Sequence, residues 1–292
     1  MMAAGLALSI SAFQPSIHAE PPPGGQARLE IVNRAIEYHG GDIYLRSRTS
    51  LELCSKSGCY EVSAAVLGGS YEYRVKGSSR GGVREVLVSN DRIVHWQDER
   101  EMYVAPEDDA ALRDWVMARV YFCFLPYRLD DESAIQEDLG LETWSGRELH
   151  KVKVTFVPGT STGAEDEYLY WFDPATGRLE QFAYSFEGSP GGLRFRHLFN
   201  FRRAGGLLFF DQENWGAAGD DLTVGEISPE FVASMERIST VELRNIQVED
   251  PTDELNQGQV ELLDGHPTPA RLRLPASRRG HFRRAAITPG RR

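Results

Sequence analysis

The sequence predicts an α+β fold: a strongly curved, mostly antiparallel sheet, an incomplete barrel, covered by two or three helices. Three observations carry the prediction. Short runs with strand alternation follow one another with turn residues between them, and only two segments show a clear helical stripe. The hairpin EYLYWFDPATGRLEQFAYSF (167–186) is apolar on both of its faces. A surface hairpin meets a core on one side only, so this one belongs to a central strand pair whose second face turns toward a hollow or another layer. A twisted sheet of many strands tends to curl, and a curled sheet has a concave side.

Residues 20–27 (EPPPGGQA) form a lead-in that three prolines keep from being helical. In RLEIVNRAIEYHGG, the residues Leu29, Val32, Ala35 and Ile36 share one stripe, as an amphipathic helix requires, and Gly40 and Gly41 end it. Strand-like pieces follow: TSLELC, CYEVSAAVL, SYEYRVKG, REVLVSN and RIVHWQDE, with Asn90-Asp91 as a turn between the last two. A helix over 106–123 interrupts them. Pro106 and the acids Glu107, Asp108 and Asp109 suit its start, Leu112, Trp115, Val116, Arg119 and Val120 continue at helical spacing, and Pro126 stops it.

Strands then resume. HKVKVTFV alternates Val152, Val154 and Phe156 against Lys151, Lys153 and Thr155, which gives it one wet face. The 167–186 hairpin turns at Asp173-Pro174-Ala175-Thr176-Gly177 and places Tyr168, Tyr170 and Phe172 opposite Leu169 and Trp171. RFRHLFNFRR and GLLFFDQEN are joined by Ala204-Gly205-Gly206. GAAGDD leads to a helical turn at SPEFVASM and a last strand near STVELRNIQVE. From Asp250 the pattern dissolves, and the Pro- and Arg-rich stretch 265–292 reads as disordered. The expected organisation is a signal-like segment and flexible lead-in over 1–27, a single domain over 28–250 and a basic tail over 251–292.

The formal charge of −11 hides an asymmetry. The last 28 residues hold eight arginines and no acid, which leaves 24 basic against 43 acidic residues, or −19, for the remainder. Phosphate backbones are repelled by such a body, so nucleic acid is excluded as a partner, and anionic lipid could be met only peripherally, through the tail. MMAAGLALSISAFQPSIHAE reads as the latter part of a secretory signal without its basic n-region. Either the start codon lies upstream or the segment is a disordered N-terminus. Its apolar run is too short to span a bilayer. Cys54 and Cys59 flank a four-residue turn at opposed hairpin positions. They form a structural disulfide if the protein is exported and are two free thiols otherwise. Cys123 reads as a buried small apolar residue.

Tyr38-His39-Gly40-Gly41, Phe124 to Asp131 (FLPYRLDD), His150 to Phe156, Tyr168 to Leu179 with its WFDP-x-TG-x-L run, and the Asn200 to Asn214 region occur in an order that resembles a group of uncharacterised bacterial secreted proteins. Their fold is similar to that of the periplasmic lipoprotein-localisation (Lol) carriers. The resemblance spans roughly residues 28–250. It implies a curved antiparallel barrel closed by helices, with an apolar cavity that in the carriers holds acyl chains. The arginine that helps gate the cavity in some carriers has no matching position here, and carrier function by this route is analogy from fold.

Chemical motifs are sparse. Gly159-Thr160-Ser161-Thr162-Gly163 has the G-x-S-x-G form, but a strand follows it where a nucleophile elbow needs a helix, so Ser161 reads as part of a loop. The seven histidines have no zinc-binding spacing, although His150 and His197 sit in strands that could bring them together. No phosphate loop, catalytic residue, metal site or cofactor is expected. The expected function is an exported, periplasmic or extracellular binding protein that holds a hydrophobic ligand (a lipid, an acyl chain or a lipoprotein) in the concave face. Trp115, Phe122, Leu125, Tyr170, Phe172, Phe182 and Tyr184 are its expected contacts, and a hydrophobic small molecule or acylated protein its partner. The alternatives are a carboxylate-dependent hydrolase and a non-catalytic domain with a filled core that acts through its outer surface.

Overall fold

The computed structural model describes residues 28–67, 69–131, 133–157, 166–186, 191–219, 221–249 and 260–262. Helix α1 (Glu30–His39) buries Ile31, Val32, Ala35 and His39. It ends at Gly40, whose φ of +132° and whose close approach to the Gly206 carbonyl, Leu207 and the Tyr127 hydroxyl leave no room for a Cβ. After a 3-10 turn at Gly41–Arg46 come β1 (Arg48–Ser55), β2 (Gly58–Leu67), β3 (Ser70–Ser79), β4 (Gly82–Ser89), β5 (Ile93–Gln97) and β6 (Arg100–Met102). A 3-10 turn at Pro106–Asp108 leads into α2 (Asp109–Val120), and further 3-10 turns at Tyr121–Cys123 and Tyr127–Asp130 follow it.

The second half contains β7 (Ala134–Trp144), β8 (Arg147–Phe156), β9 (Tyr168–Phe172), β10 (Leu179–Phe186), β11 (Gly192–Ala204) and β12 (Leu207–Ala218). It closes with a 3-10 turn at Val224–Glu226, α3 (Pro229–Ser234), β13 (Glu236–Glu249) and β14 (Val260–Leu262). Strand β14 pairs with Arg202–Ala204 of β11 and lies in the stretch that sequence left without pattern. The readings of residues 1–27, of the Gly159–Gly163 loop and of 265–292 fall outside the described residues.

Every ladder is antiparallel. The strands follow a single path, β6-β5-β4-β3-β2-β1-β13-β12-β11-β10-β9-β8-β7, in which β1 joins β13 and so unites two meanders. This corrects the expectation of a strongly curved, incomplete barrel. The sheet is open and not strongly curled, and among the described residues no ladder connects its two ends, β6 and β7. The physical reason is that separate layers cover its two faces, so the strands need not roll up to shield their apolar side chains.

One edge, β6, is three residues long. The other, β7, is long and carries the exposed Ile135, Leu139 and Leu141. Its pairing with β8 is broken by a bulge between Asp138 and Leu141, where Gly140 has a φ of +74°. On one face α1, α2 and the turns around them pack against Val62, Val66, Tyr73, Val75, Val86 and Val88 of the first meander and Val152, Tyr170, Phe182 and Phe209 of the second. On the other face Val224, Ile227, Val232 and Met235, from the segment that contains α3, cover Leu169, Trp171, Ala183 and Phe195. The double-sided hairpin is therefore explained by two cores, one on each face.

His39 sits at the seam between α1 and β10, wholly buried, where its Nε2 accepts the Leu179 N–H at 3.2 Å. Burial, then the guanidinium charges of Arg203 and Arg178, lower its pKa from 6.5 to about 3. The folded imidazole refuses a proton that the unfolded one accepts below about pH 6.5. The contribution to stability is intact above that pH and is lost as pH falls toward 3, by up to about 1.4 kcal/mol per pH unit. Denaturant unfolding between pH 7 and 4 is expected to show this loss, with a shallower slope in His39→Gln. Equal slopes in the two proteins would refute the assignment.

Candidate functional site

The seven expected contacts divide six to one. Tyr170 and Phe172 on β9, and Phe182 and Tyr184 on β10, point to the helix-covered face and are almost wholly buried. Phe122 and Leu125 arrive from the chain after α2. There the 3-10 turn at Tyr121–Cys123 drives Phe122 onto the sheet, its ring stacked on Phe182 (5.3 Å, 12° between planes) and Tyr184 (5.4 Å, 24°). Trp115 lies apart at the end of the helix–sheet seam, half-buried against Tyr60, Arg84 and Arg119.

The expectation that these rings line a concave, ligand-holding face is corrected: they pack on one another and on the helix layer. Tyr168 stacks on Tyr184 at 5.6 Å, and the Tyr121 and Tyr170 hydroxyls lie 2.8 Å apart. Gln212 donates to the Phe122 carbonyl at 3.1 Å, and the Arg196 guanidinium stands over the Phe122 ring at 5.5 Å while reaching the Tyr184 hydroxyl. Burial raises the pKa of the Tyr168 and Tyr170 phenols and pushes Tyr121 up to about 12, so these groups stay protonated.

Sequence reasoning missed Tyr121, Arg196 and Gln212. Tyr121 was legible as an aromatic next to Phe122, whereas nothing in the alternation of β11 and β12 marks a charged residue as inward-facing. On the opposite face Trp144 stacks on Phe195 (5.3 Å, 10°) and meets Trp171 at 5.1 Å, while the Trp171 indole N–H donates to Glu142.

Cys54 and Cys59, opposed in the β1–β2 hairpin, are joined as a disulfide. Cys123 is buried, and burial pushes its thiol up to about 12, which makes it a poor nucleophile. His150 bonds Asp138 on β7 at 2.7 Å, whereas His197 on β11 sits opposite Gln181 and Glu213, so the two histidines are not brought together.

Two recesses open on the surface. A cleft of about 360 Å³ lies between α1, the Gly41–Arg46 turn and the Tyr127–Asp130 turn. Its floor is the stacked pair Tyr44 and Tyr127 (4.5 Å, 13°) with Tyr73 and the buried Arg128. Arg128 reaches the Tyr73 hydroxyl at 3.4 Å. Its rim holds Glu37, Asp42, Asp130 and Asp131, with Arg28 bonded to Asp130. Burial raises the Asp130 carboxyl above its ordinary pKa in spite of that guanidinium. Glycoside-type chemistry needs a free acid and a second carboxylate in contrasting surroundings, and an acid clamped by arginine does not supply the first. The second recess, about 340 Å³, is polar and lies over β1 to β4 and β13, lined by Glu52, Glu61, Arg74, Lys76, Glu85 and Asn245 among others.

Fold and site together define an open antiparallel sheet domain with a filled aromatic interior and clefts confined to its outside. The chain belongs to the family of unknown function DUF6503, whose model matches residues 47–220. It is similar to a LolA superfamily protein from Nitrosomonas europaea, at 12% identity over 78% of this chain and 96% of that one, with a TM-score of 0.44. It is also similar to a DUF1329 family protein from Desulfovibrio piger, at 11% identity over 74% and 90%, with a TM-score of 0.43. No match was found among curated proteins.

Proposed function

We propose that this chain is an exported, non-catalytic domain with a filled core that acts through its outer surface. The observation that carries the reading is the Phe122 ring, which lies between the helix layer and β10, where an apolar ligand would have to sit. Export is supported by the Cys54–Cys59 bond, since such bonds persist in oxidising compartments. The cleft between α1 and the Tyr127–Asp130 turn offers an aromatic floor under an acidic rim, which suits a hydrophobic partner group flanked by basic ones.

The test is native mass spectrometry of protein purified from its own host, before and after organic extraction, with titration of an apolar fluorescent probe. The expected result is no solvent-extractable mass and no saturable probe binding. An extractable apolar molecule in stoichiometric amount would overturn the filled-core reading.

A further inference from the structure

We propose that Arg84 and Arg119, gathered around Trp115 at the end of the helix–sheet seam, form a binding site for a phosphate-class oxyanion. The inference rests on the surface-acting reading and names a ligand chemistry for it. The Arg84 guanidinium stands over the Trp115 ring at 4.8 Å, and that of Arg119 stands over the same ring at 4.2 Å and over Tyr60 at 4.4 Å. Arg119 spends its terminal nitrogens on the Trp115 carbonyl (2.6 Å) and the Tyr60 hydroxyl (3.2 Å). Arg84 is half-buried and donates to no protein acceptor among the described residues. The Nε atoms of both arginines are buried without a partner.

Neither guanidinium forms an ion pair with a carboxylate among the described residues, although acids far outnumber bases in the chain outside its last 28 residues. Two partly desolvated cations held side by side repel one another, and ring faces compensate only a part of that. Burial and the neighbouring Arg119 charge both lower the Arg84 pKa. The same local field reaches His95, whose pKa burial and Arg84 lower and Asp108 opposes. An oxyanion would relieve all of these at once. The planar Arg84 fork matches two of its oxygens, and Arg119 adds charge from the other side of the cluster.

The test titrates the full chain with inorganic phosphate at low ionic strength by calorimetry and follows the His95 ring by NMR. Vesicles of phosphatidylglycerol are the second arm and phosphatidylcholine vesicles their control. Saturable phosphate binding is expected, weakened about tenfold or more in Arg84→Gln and less in Arg84→Lys, with the His95 pKa rising as the site fills. Unchanged near-UV circular dichroism in the lysine variant separates loss of binding from loss of fold. Binding of phosphatidylglycerol vesicles alone, with the same sensitivity to Arg84→Gln, supports the site and assigns the oxyanion to a lipid headgroup. Absence of binding in both arms, or equal affinity in Arg84→Gln and the parent, overturns it. That failure would leave the filled-core reading standing, because solvent extraction tests it independently.

Discussion

Phe122→Ala is expected to lower the stability of this domain by about 3–5 kcal/mol, the range for deleting a phenyl ring from a packed core. The ring contacts Phe182 and Tyr184 face to face and Tyr121 edge-on at 5.2 Å, while the backbone bond from Gln212 to the Phe122 carbonyl is untouched by the substitution. The loss is therefore one of packing alone. Urea unfolding measures it, and a change below about 1 kcal/mol would mean that the ring fills nothing. The same variant should gain an apolar cavity able to admit a benzene-sized molecule, so probe binding that the parent lacks is the companion observation.

Asp211→Ala is expected to be about as damaging, again about 3–5 kcal/mol, for an electrostatic reason. Asp211 on β12 accepts from Arg202 at 2.9 Å, from the Asn200 amide at 2.6 Å and from the Leu243 N–H at 2.9 Å, and both charged side chains are largely buried. Removing the carboxylate leaves the Arg202 charge desolvated and uncompensated. Replacing both partners, as in Arg202→Met with Asp211→Leu, should recover more than half of the loss, since no charge then remains buried. A double variant no more stable than Asp211→Ala would show that the damage comes from the lost Asn200 and Leu243 hydrogen bonds instead.

Much of the strand order was legible because alternation and turn chemistry are local. Asn90-Asp91 lies between β4 and β5, and Asp173 through Gly177 form the β9–β10 turn. The double-sided hairpin correctly signalled that both faces leave water. What covers the second face was not legible, because the segment from Val224 to Met235 showed only a loop and one helical turn. Curvature was inferred in its place.

Trp115 and Phe122 are seven residues apart, which on an uninterrupted α-helix gives one shared face. The helix stops at Val120, and the 3-10 turn that follows sends the two rings to different places. Bulges hid the buried charges. Between Phe199 and Arg202 the register shifts, with Asn200 at a φ of +52°, and alternation read across that point assigns Arg202 to the wrong side. The Tyr44–Tyr127 cleft arises from two segments distant in sequence, and neither carries a local mark of the other.

An open sheet leaves two borders that another copy of the chain could extend, and the β7 bulge bears on that hazard. A second chain laid along β7 would find its main-chain donors and acceptors in step over Ala134–Asp138 and again over Leu141–Trp144, but out of step between them. Glu137, Asp138 and Glu142 would also face their own counterparts across such a junction. Fibre growth by edge-to-edge stacking is thus frustrated at the border where Ile135, Leu139 and Leu141 would otherwise invite it.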